Sequence, residues 1–310
     1  TAVVGTVSGT SISFGSEYIF NSVQNSNYTS VSFDPNTANK FVVSFRNGNT
    51  LGSAVIGTVS GTSISYGALA TFHTGFTLWT SVAFDPNTAN KFVVVYRAAT
   101  AGALVGAAVG TVSGTTISFG ATYGIQGDAQ YQRIAFDPNT ANKFVVVYRD
   151  SANSYGGSIK VGTVSGTAIS FGSAVSVTAS KVIDTSISFD PNTANKFAVA
   201  YVNSGNLNYG TAVVGTVSGT SASFGSAVVF NSATTIDTNI AYDPNTAGKF
   251  AVAYVDSNNS GYGTAVVGTV SGTSISYSSA YVFNAADSID TVTAFDPSTA
   301  GNIVFAYRDS

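Results

Sequence analysis

Cysteine and methionine are absent from these 310 residues, histidine and tryptophan occur once each, and only 9% of positions are charged. Without cysteine there is no disulfide framework, no thiolate nucleophile and no thiolate metal ligand. A single histidine, His73, leaves one candidate base for Ser-His-Asp chemistry, and no Gly-x-Ser-x-Gly elbow surrounds a serine. A P-loop is missing as well. The formal net charge is -3 with no basic run, which removes the electrostatic footprint expected of a nucleic-acid or anionic-membrane binder. No stretch approaches about 18 continuous apolar residues, so none reads as a spanning helix. A chain without methionine that opens on Thr1 reads as a piece of a longer protein, and the lack of a leader then says nothing.

What is there is repetition. Phe-Asp-Pro-Asn-Thr-Ala-Asn-Lys or a near copy recurs six times, its aspartates at Asp34, Asp85, Asp137, Asp190, Asp243 and Asp296, with steps of 51, 52, 53, 53 and 53 residues. Gly-Thr-Val-Ser-Gly-Thr keeps the same step from Gly5 through Gly57, Gly110, Gly162, Gly215 and Gly268. A fixed period of this size signals a propeller, a solenoid or an array, and six copies of one unit imply one domain over 1–310 with its core shared between neighbours.

Within a copy the residues alternate with period two and are rich in Val, Ile, Thr, Phe and Tyr, which predicts strands and no helix. In the fourth copy strand A covers Thr185–Asp190, B covers Lys196–Val202, C covers Thr211–Ser218 and D covers Thr220–Phe230. Asp-Pro-Asn forms the A–B turn, because Pro fixes φ and Asp and Asn bond to their own backbone. Ser-Gly-Thr-Ser forms a tight C–D hairpin. Four antiparallel strands in each of six copies predict an all-β, six-bladed β-propeller. The chain opens on strands C and D and finishes on A and B, so blade six is expected from residues 291–310 plus 1–20, two strands from each end, which removes open edges. The Phe or Tyr before each Asp-Pro is expected to be core.

Comparison between copies separates scaffold from recognition surface. The A–B and C–D turns share one face and hardly vary, whereas the D–A and B–C connections on the opposite face vary freely, Asn21–Tyr28, Phe72–Trp79 and Gln126–Tyr131 sharing almost nothing, and variable loops on a rigid scaffold are where recognition is usually placed. Drift of exposed loops is the plain alternative. Six residues before the aspartates stand Tyr28, Trp79, Tyr131, Asp184, Asp237 and Asp290; twelve residues after them stand Arg46, Arg97, Arg149, Val202, Val255 and Arg308. If Phe33 faces Phe41, these two sets are directly opposed across the A–B pair, giving Arg–aromatic contacts in copies one to three and Asp290–Arg308 in copy six. Bracing of strand ends would explain the pairs equally well. As a ligand site, aromatic faces and carboxylates suit a sugar, with His73 and Arg133 added from neighbouring loops. The repeated tyrosines Tyr155, Tyr209 and Tyr262 read as packing. Asp184 and Asp237 lack the Asp-x-Asp-x-Asp spacing of a calcium loop, and neither a metal nor a cofactor is expected.

Paired carboxylates suffice for a glycoside hydrolase. Sialidases, six-bladed propellers with an arginine triad, invite comparison through Arg46, Arg97 and Arg149, yet the sole glutamate is Glu17 and their Ser-x-Asp-x-Gly-x-x-Trp box is absent. The text Gly-Thr-Val-Ser-Gly-Thr-Ser-Ile-Ser-Phe-Gly with Phe-Asp-Pro-Asn-Thr-Ala-Asn-Lys-Phe-Val-Val resembles repeats of predicted tail-fibre or adhesin-like proteins of marine bacteriophages, over essentially the whole chain. That resemblance implies a virion-surface, extracellular, non-catalytic module whose partner is a host-cell glycan or receptor. A glycosidase and a purely structural spacer are the alternatives.

Overall fold

The computed structural model describes residues 1–22, 25–99 and 103–309. Part of the Asn21–Tyr28 connection and the final residue of the 291–310 segment therefore lie outside the described residues. The fold is all-β, and its only helical elements among the described residues are the single turns Ser151–Asn153 and Ser257–Asn259. Two compact units form, Thr1–Asp128 with Val164–Ser170, and Ala129–Thr163 with Phe171–Ser310.

In the first unit, strand A of repeat 1 (Asn27–Phe33) pairs with B (Lys40–Arg46), B with C (Gly52–Ser60), and C with two short D segments, Ser63–Tyr66 and Ala70–His73. Repeat 2 follows the same order through Thr77–Phe84, Lys91–Ala98, Leu104–Ser113 and Thr116–Gly127. In the second unit the D strand runs straight into the next A strand. Val175–Phe189, Val228–Tyr242 and Tyr281–Phe295 are therefore single 15-residue strands. The expected D–A loops are absent there, and the expected strand D over Thr220–Phe230 is split into Ser221–Phe224 and the segment starting at Val228. The break falls at Gly225, where a Cβ would lie 2.3 Å from the Thr273 carbonyl in the next repeat's C–D turn, so the strand bends at a close approach.

The repeated words have structural causes. The B strands of repeats 1 to 5 are buried over most of their length, and the second residue of each is a phenylalanine whose ring covers the glycine of Gly-Thr-Val-Ser on strand C, whereas Ile303–Asp309 of repeat 6 is largely exposed. A Cβ at Gly57, Gly110, Gly162, Gly215 or Gly268 would sit 2.1–2.3 Å from Phe41, Phe92, Phe144, Phe197 or Phe250. In the Asp-Pro-Asn turn the aspartate Oδ1 accepts the N–H two residues on, as at Asn192 and Asn245 (both 2.9 Å), which closes an Asx-turn. The asparagine then donates forward into the next repeat, Asn36 to the Asp85 carbonyl, Asn192 to the Asp243 and Pro244 carbonyls, and Asn245 to the Asp296 carbonyl. Lys40, Lys143 and Lys196 reach further, to the carbonyls of Gly114, Gly219 and Gly272. The motif is a clasp between neighbours.

Cores form between consecutive repeats. Val42, Ala54, Ile56 and Phe72 of repeat 1 pack with Val82, Phe84, Phe92 and Tyr96 of repeat 2, and repeats 4 and 5 meet in the same way. Phe84, Phe136, Phe189 and Tyr242 are buried as expected. Phe33 is not: it is 60% exposed, and Phe295 is half-buried. Against the A strand of repeat 1 lies the segment Thr1–Gly5, which with Val31, Phe33 and Phe41 bounds an apolar cavity of about 450 Å³. Gly5–Ser8 pairs with Ser11–Phe14, and Ile303–Asp309 pairs with Tyr281–Phe295.

Candidate functional site

Six residues before each Asp-Pro aspartate the backbone is left-handed: φ is 54° at Tyr28, 45° at Trp79, 53° at Tyr131, 51° at Asp184, 52° at Asp237 and 58° at Asp290. Each is a β-bulge that puts one extra residue into strand A, so the A–B register slips there. The opposed pairs expected from sequence are consequently displaced by one. Arg46 lies across from Asn27, Arg97 from Leu78, Arg149 from Gln130 and Arg308 from Ile289, while Val202 and Val255 face Ile183 and Ile236. The bulge also joins repeats: the hydroxyls of Thr80, Thr185 and Thr291 donate to the carbonyls of Tyr28, Tyr131 and Asp237.

The slip does not separate the side chains, because a bulge re-aims the residue it carries. In the first unit the Arg46 guanidinium lies 4.9 Å from the Tyr28 ring and 5.0 Å from the Phe76 ring, held between the two. Tyr28 meets Trp79 edge-on at 6.1 Å. Arg97 lies 5.4 Å from Trp79 and bonds Asp128 at 2.9 Å. The result is one continuous surface of Arg46, Tyr28, Phe76, Trp79 and Arg97, with Tyr28 and Phe76 exposed. His73 is spent on packing. Its ring lies against Tyr96 at 4.8 Å, its Nδ1 bonds the Thr77 hydroxyl, and burial lowers its pKa against the opposing Gly75 hydrogen bond.

In the second unit Arg149 lies 5.9 Å from Tyr131 and 4.6 Å from Tyr155. Tyr155 was expected only to pack, like Tyr209 and Tyr262, but the register aligns those two with Gly156 and puts Tyr155 at the place of Asn208 and Gly261, so of repeats 3 to 5 only repeat 3 has a ring there, beside its arginine. The carboxylates are largely structural. Asp184 Oδ2 accepts both the N–H and the hydroxyl of Thr238, and Asp237 Oδ2 accepts the Asp290 N–H at 3.0 Å. Asp290 meets Arg308 at 3.3 Å as expected, but both are exposed and the pair is worth little. Arg133 donates to the Gln132 carbonyl and bears electrostatically on Asp184.

Burial pushes Asp184 up to about 6, with Asp237 adding like charge and Arg133 and Thr238 opposing. Burial also raises Asp237, whose hydrogen bond from Asp290 opposes the shift. For Asp184 the folded value exceeds the unfolded one, so the fold binds the extra proton. The associated stability is complete below about pH 4 and is lost as pH rises through 6. Asp184→Asn keeps an acceptor for Thr238 without the charge. It should raise the melting temperature at pH 7.5 by a few degrees, on the order of 2 kcal/mol or less, and leave it nearly unchanged at pH 4. Equal shifts at both pH values would show that ionisation of Asp184 is not opposed by the fold.

No protein-family model matches the chain, and no curated protein does. Solved structures do. The chain is similar to the periplasmic gluconolactonase PpgL of Pseudomonas aeruginosa, with a TM-score of 0.63, 10% identity and coverage of 99% of this chain and 88% of that one. It is similar to AofleA of Arthrobotrys oligospora, with a TM-score of 0.58, 10% identity and coverage of 91% and 80%. Sqt1 of Chaetomium thermophilum matches with a TM-score of 0.55, 14% identity and coverage of 89% and 67%. At these identities the likeness is one of fold, an all-β repeat architecture.

Proposed function

We propose that the chain is a non-catalytic recognition module that binds a glycan on the aromatic–arginine surface of the first unit, Tyr28, Phe76 and Trp79 stacking on sugar rings and Arg46 supplying polar contacts. The observation that carries this reading is the left-handed backbone at Tyr28 and Trp79. A bulky residue there costs on the order of 1–3 kcal/mol where glycine would cost nothing, and such strain persists where the side chain it aims is needed. One of the AofleA structures carries three arginine-to-alanine changes spaced 53 residues apart, a spacing close to that of Arg46, Arg97 and Arg149. On this reading the module is displayed outside the cell, on a virion or comparable surface, with a host-cell glycan as its partner. The accompanying architecture is a six-bladed β-propeller whose last blade forms when residues 291–309 meet residues 1–20. Phe33 is the reporter of that closure.

A glycan array with wild type and the Trp79→Ala, Tyr28→Ala double variant tests the reading. Loss of binding by roughly tenfold or more is expected, since two stacked rings exceed the 1.4 kcal/mol that a tenfold change represents. Retained binding would remove this surface as the site.

Glycoside hydrolysis is the second reading, favoured by one observation: Asp184 and Asp237 both have raised pKa, and Asp237 bears electrostatically on Asp184, and raised carboxyls in a polar cluster are the form a general acid takes. PpgL, named for a sugar lactone, lends it fold-level support. Turnover of labelled glycans that disappears in Asp237→Asn would establish it.

A further inference from the structure

Four arginines end B strands, and the structure divides them by what meets their donors. Arg97 and Arg308 have carboxylate partners, Asp128 at 2.9 Å and Asp290 at 3.3 Å. Arg46 and Arg149 have none among the described residues. Both are instead gripped face-on by two rings, Tyr28 and Phe76 at 4.9 and 5.0 Å, and Tyr155 and Tyr131 at 4.6 and 5.9 Å. The Nε of Arg149 is buried without an acceptor, as is that of Arg97, so the division rests on the carboxylates alone. A guanidinium is planar by resonance, so rings over its faces leave the donors at its edge free to point outward, and that planar fork matches a carboxylate or a sulfate.

Repeat 2 shows what such a held guanidinium takes. Arg97 is stacked on Trp79 and its Nη2 is occupied by a carboxylate from the chain itself, Asp128, whose side chain is half exposed. The same device in repeats 1 and 3 has the arginine and the rings without the internal anion. The acid next to Arg149 is engaged elsewhere: Asp150 Oδ1 accepts the Ala152 N–H and caps the Ser151–Asn153 turn.

We propose that Arg46 and Arg149 are anion subsites and that the glycan recognised is an acidic one, a uronate or a sulfate ester, its anionic group lying in the plane of a stacked guanidinium as Asp128 lies on Arg97. This rests on the glycan-binding reading and narrows it to a ligand class. Phe76 and Tyr155 are the residues that hold each guanidinium in place. Arginine rather than lysine is required, because a point charge lacks the fork and stacks poorly.

The test uses the full chain on an array carrying neutral, uronate-bearing and sulfated glycans, followed by titration of galacturonate oligosaccharides and of their methyl esters. Acidic glycans are expected to bind and the methyl esters to bind at least about tenfold more weakly, since the ring is kept and only the charge is lost. Arg46→Lys, which keeps the charge, is expected to lose binding nearly as far as Arg46→Gln, with melting temperature unchanged in both. If the array returns neutral glycans, or if esters and Arg46 variants bind as well as the parent pair, the anion subsites are wrong and the recognition module stands. If no glycan of any class binds, both fail. Uronate and sulfate arms that differ only in strength identify which anion fits the fork.

Discussion

Phe189→Ala should lower stability by about 3–5 kcal/mol in equilibrium denaturation, whereas Phe33→Ala, at the same place in its repeat, should cost less than about 1 kcal/mol with its ring exposed and as much as Phe189→Ala once the proposed sixth blade closes over it. Phe189 is 5% exposed and belongs to the core that repeats 3 and 4 share with Val145, Val147 and Val161; its ring meets Phe197 at 5.4 Å. Removing it leaves a cavity walled by strands that are fully hydrogen-bonded and unable to collapse. Phe33 makes the same aromatic contact, with Phe41 at 5.3 Å, but its other face is open. Denaturation midpoints of the two variants therefore measure the neighbour and not the residue. A loss at Phe33 as large as that at Phe189 would mean that a sheet lies over repeat 1 in solution, as closure of a sixth blade requires. A small loss at Phe189 would remove it from the core.

The second large effect is expected from a single methyl group. Gly172→Ala should cost about 3 kcal/mol, the upper part of the range for overpacking, because its Cβ would lie 1.8 Å from the Thr220 carbonyl oxygen, and backbone cannot rotate away as a side chain can. Gly67, Gly120 and Gly225 stand in the same relation to Thr115, Thr167 and Thr273, at 1.9, 2.5 and 2.3 Å. None of these four has a left-handed backbone, so alanine fits the local conformation and the penalty is purely one of approach. The protein carries its own control at the equivalent place in repeat 5. There Ser278 occupies the position and its hydroxyl accepts the Val267 N–H at 3.2 Å, so Ser278→Ala should change stability by no more than about 0.5 kcal/mol. Thermal melts of the two variants side by side decide the matter. Near-equal melting temperatures would show that the strand can draw back from the next turn without loss.

Much of this was legible in the repeats. The all-β class, the B strands, the Asx-turns and the meeting of Arg46, Arg97 and Arg149 with aromatics all follow from spacing and residue type, because alternation and turn chemistry are local. The bulge was not legible. Left-handed positions advertise themselves through Gly, Asn or Asp, as Asp184, Asp237 and Asp290 do, but a tyrosine or tryptophan in that conformation, as at Tyr28, Trp79 and Tyr131, leaves no mark on the sequence. Nor could the sequence show that Asp184 faces Thr238 of the following repeat, since that bond depends on how two sheets stack. Phe33 and Phe189 are the same letter in the same word, and only their neighbours make one of them core. Tyr155 was separable in principle, because it stands seven residues before Gly162 whereas Tyr209 and Tyr262 stand six before Gly215 and Gly268.

The forward-reaching clasp has a consequence at the level of the gene. Asn192 and Lys196 hold the turns one repeat ahead through backbone carbonyls, which every copy offers whatever its side chains. A junction that recognises only main chain accepts any sister copy, so a whole copy can be duplicated, deleted or exchanged by recombination without a compensating change at the seam. Natural variants of such an array should then differ by entire modules, while the rings and charges that face outward diverge copy by copy.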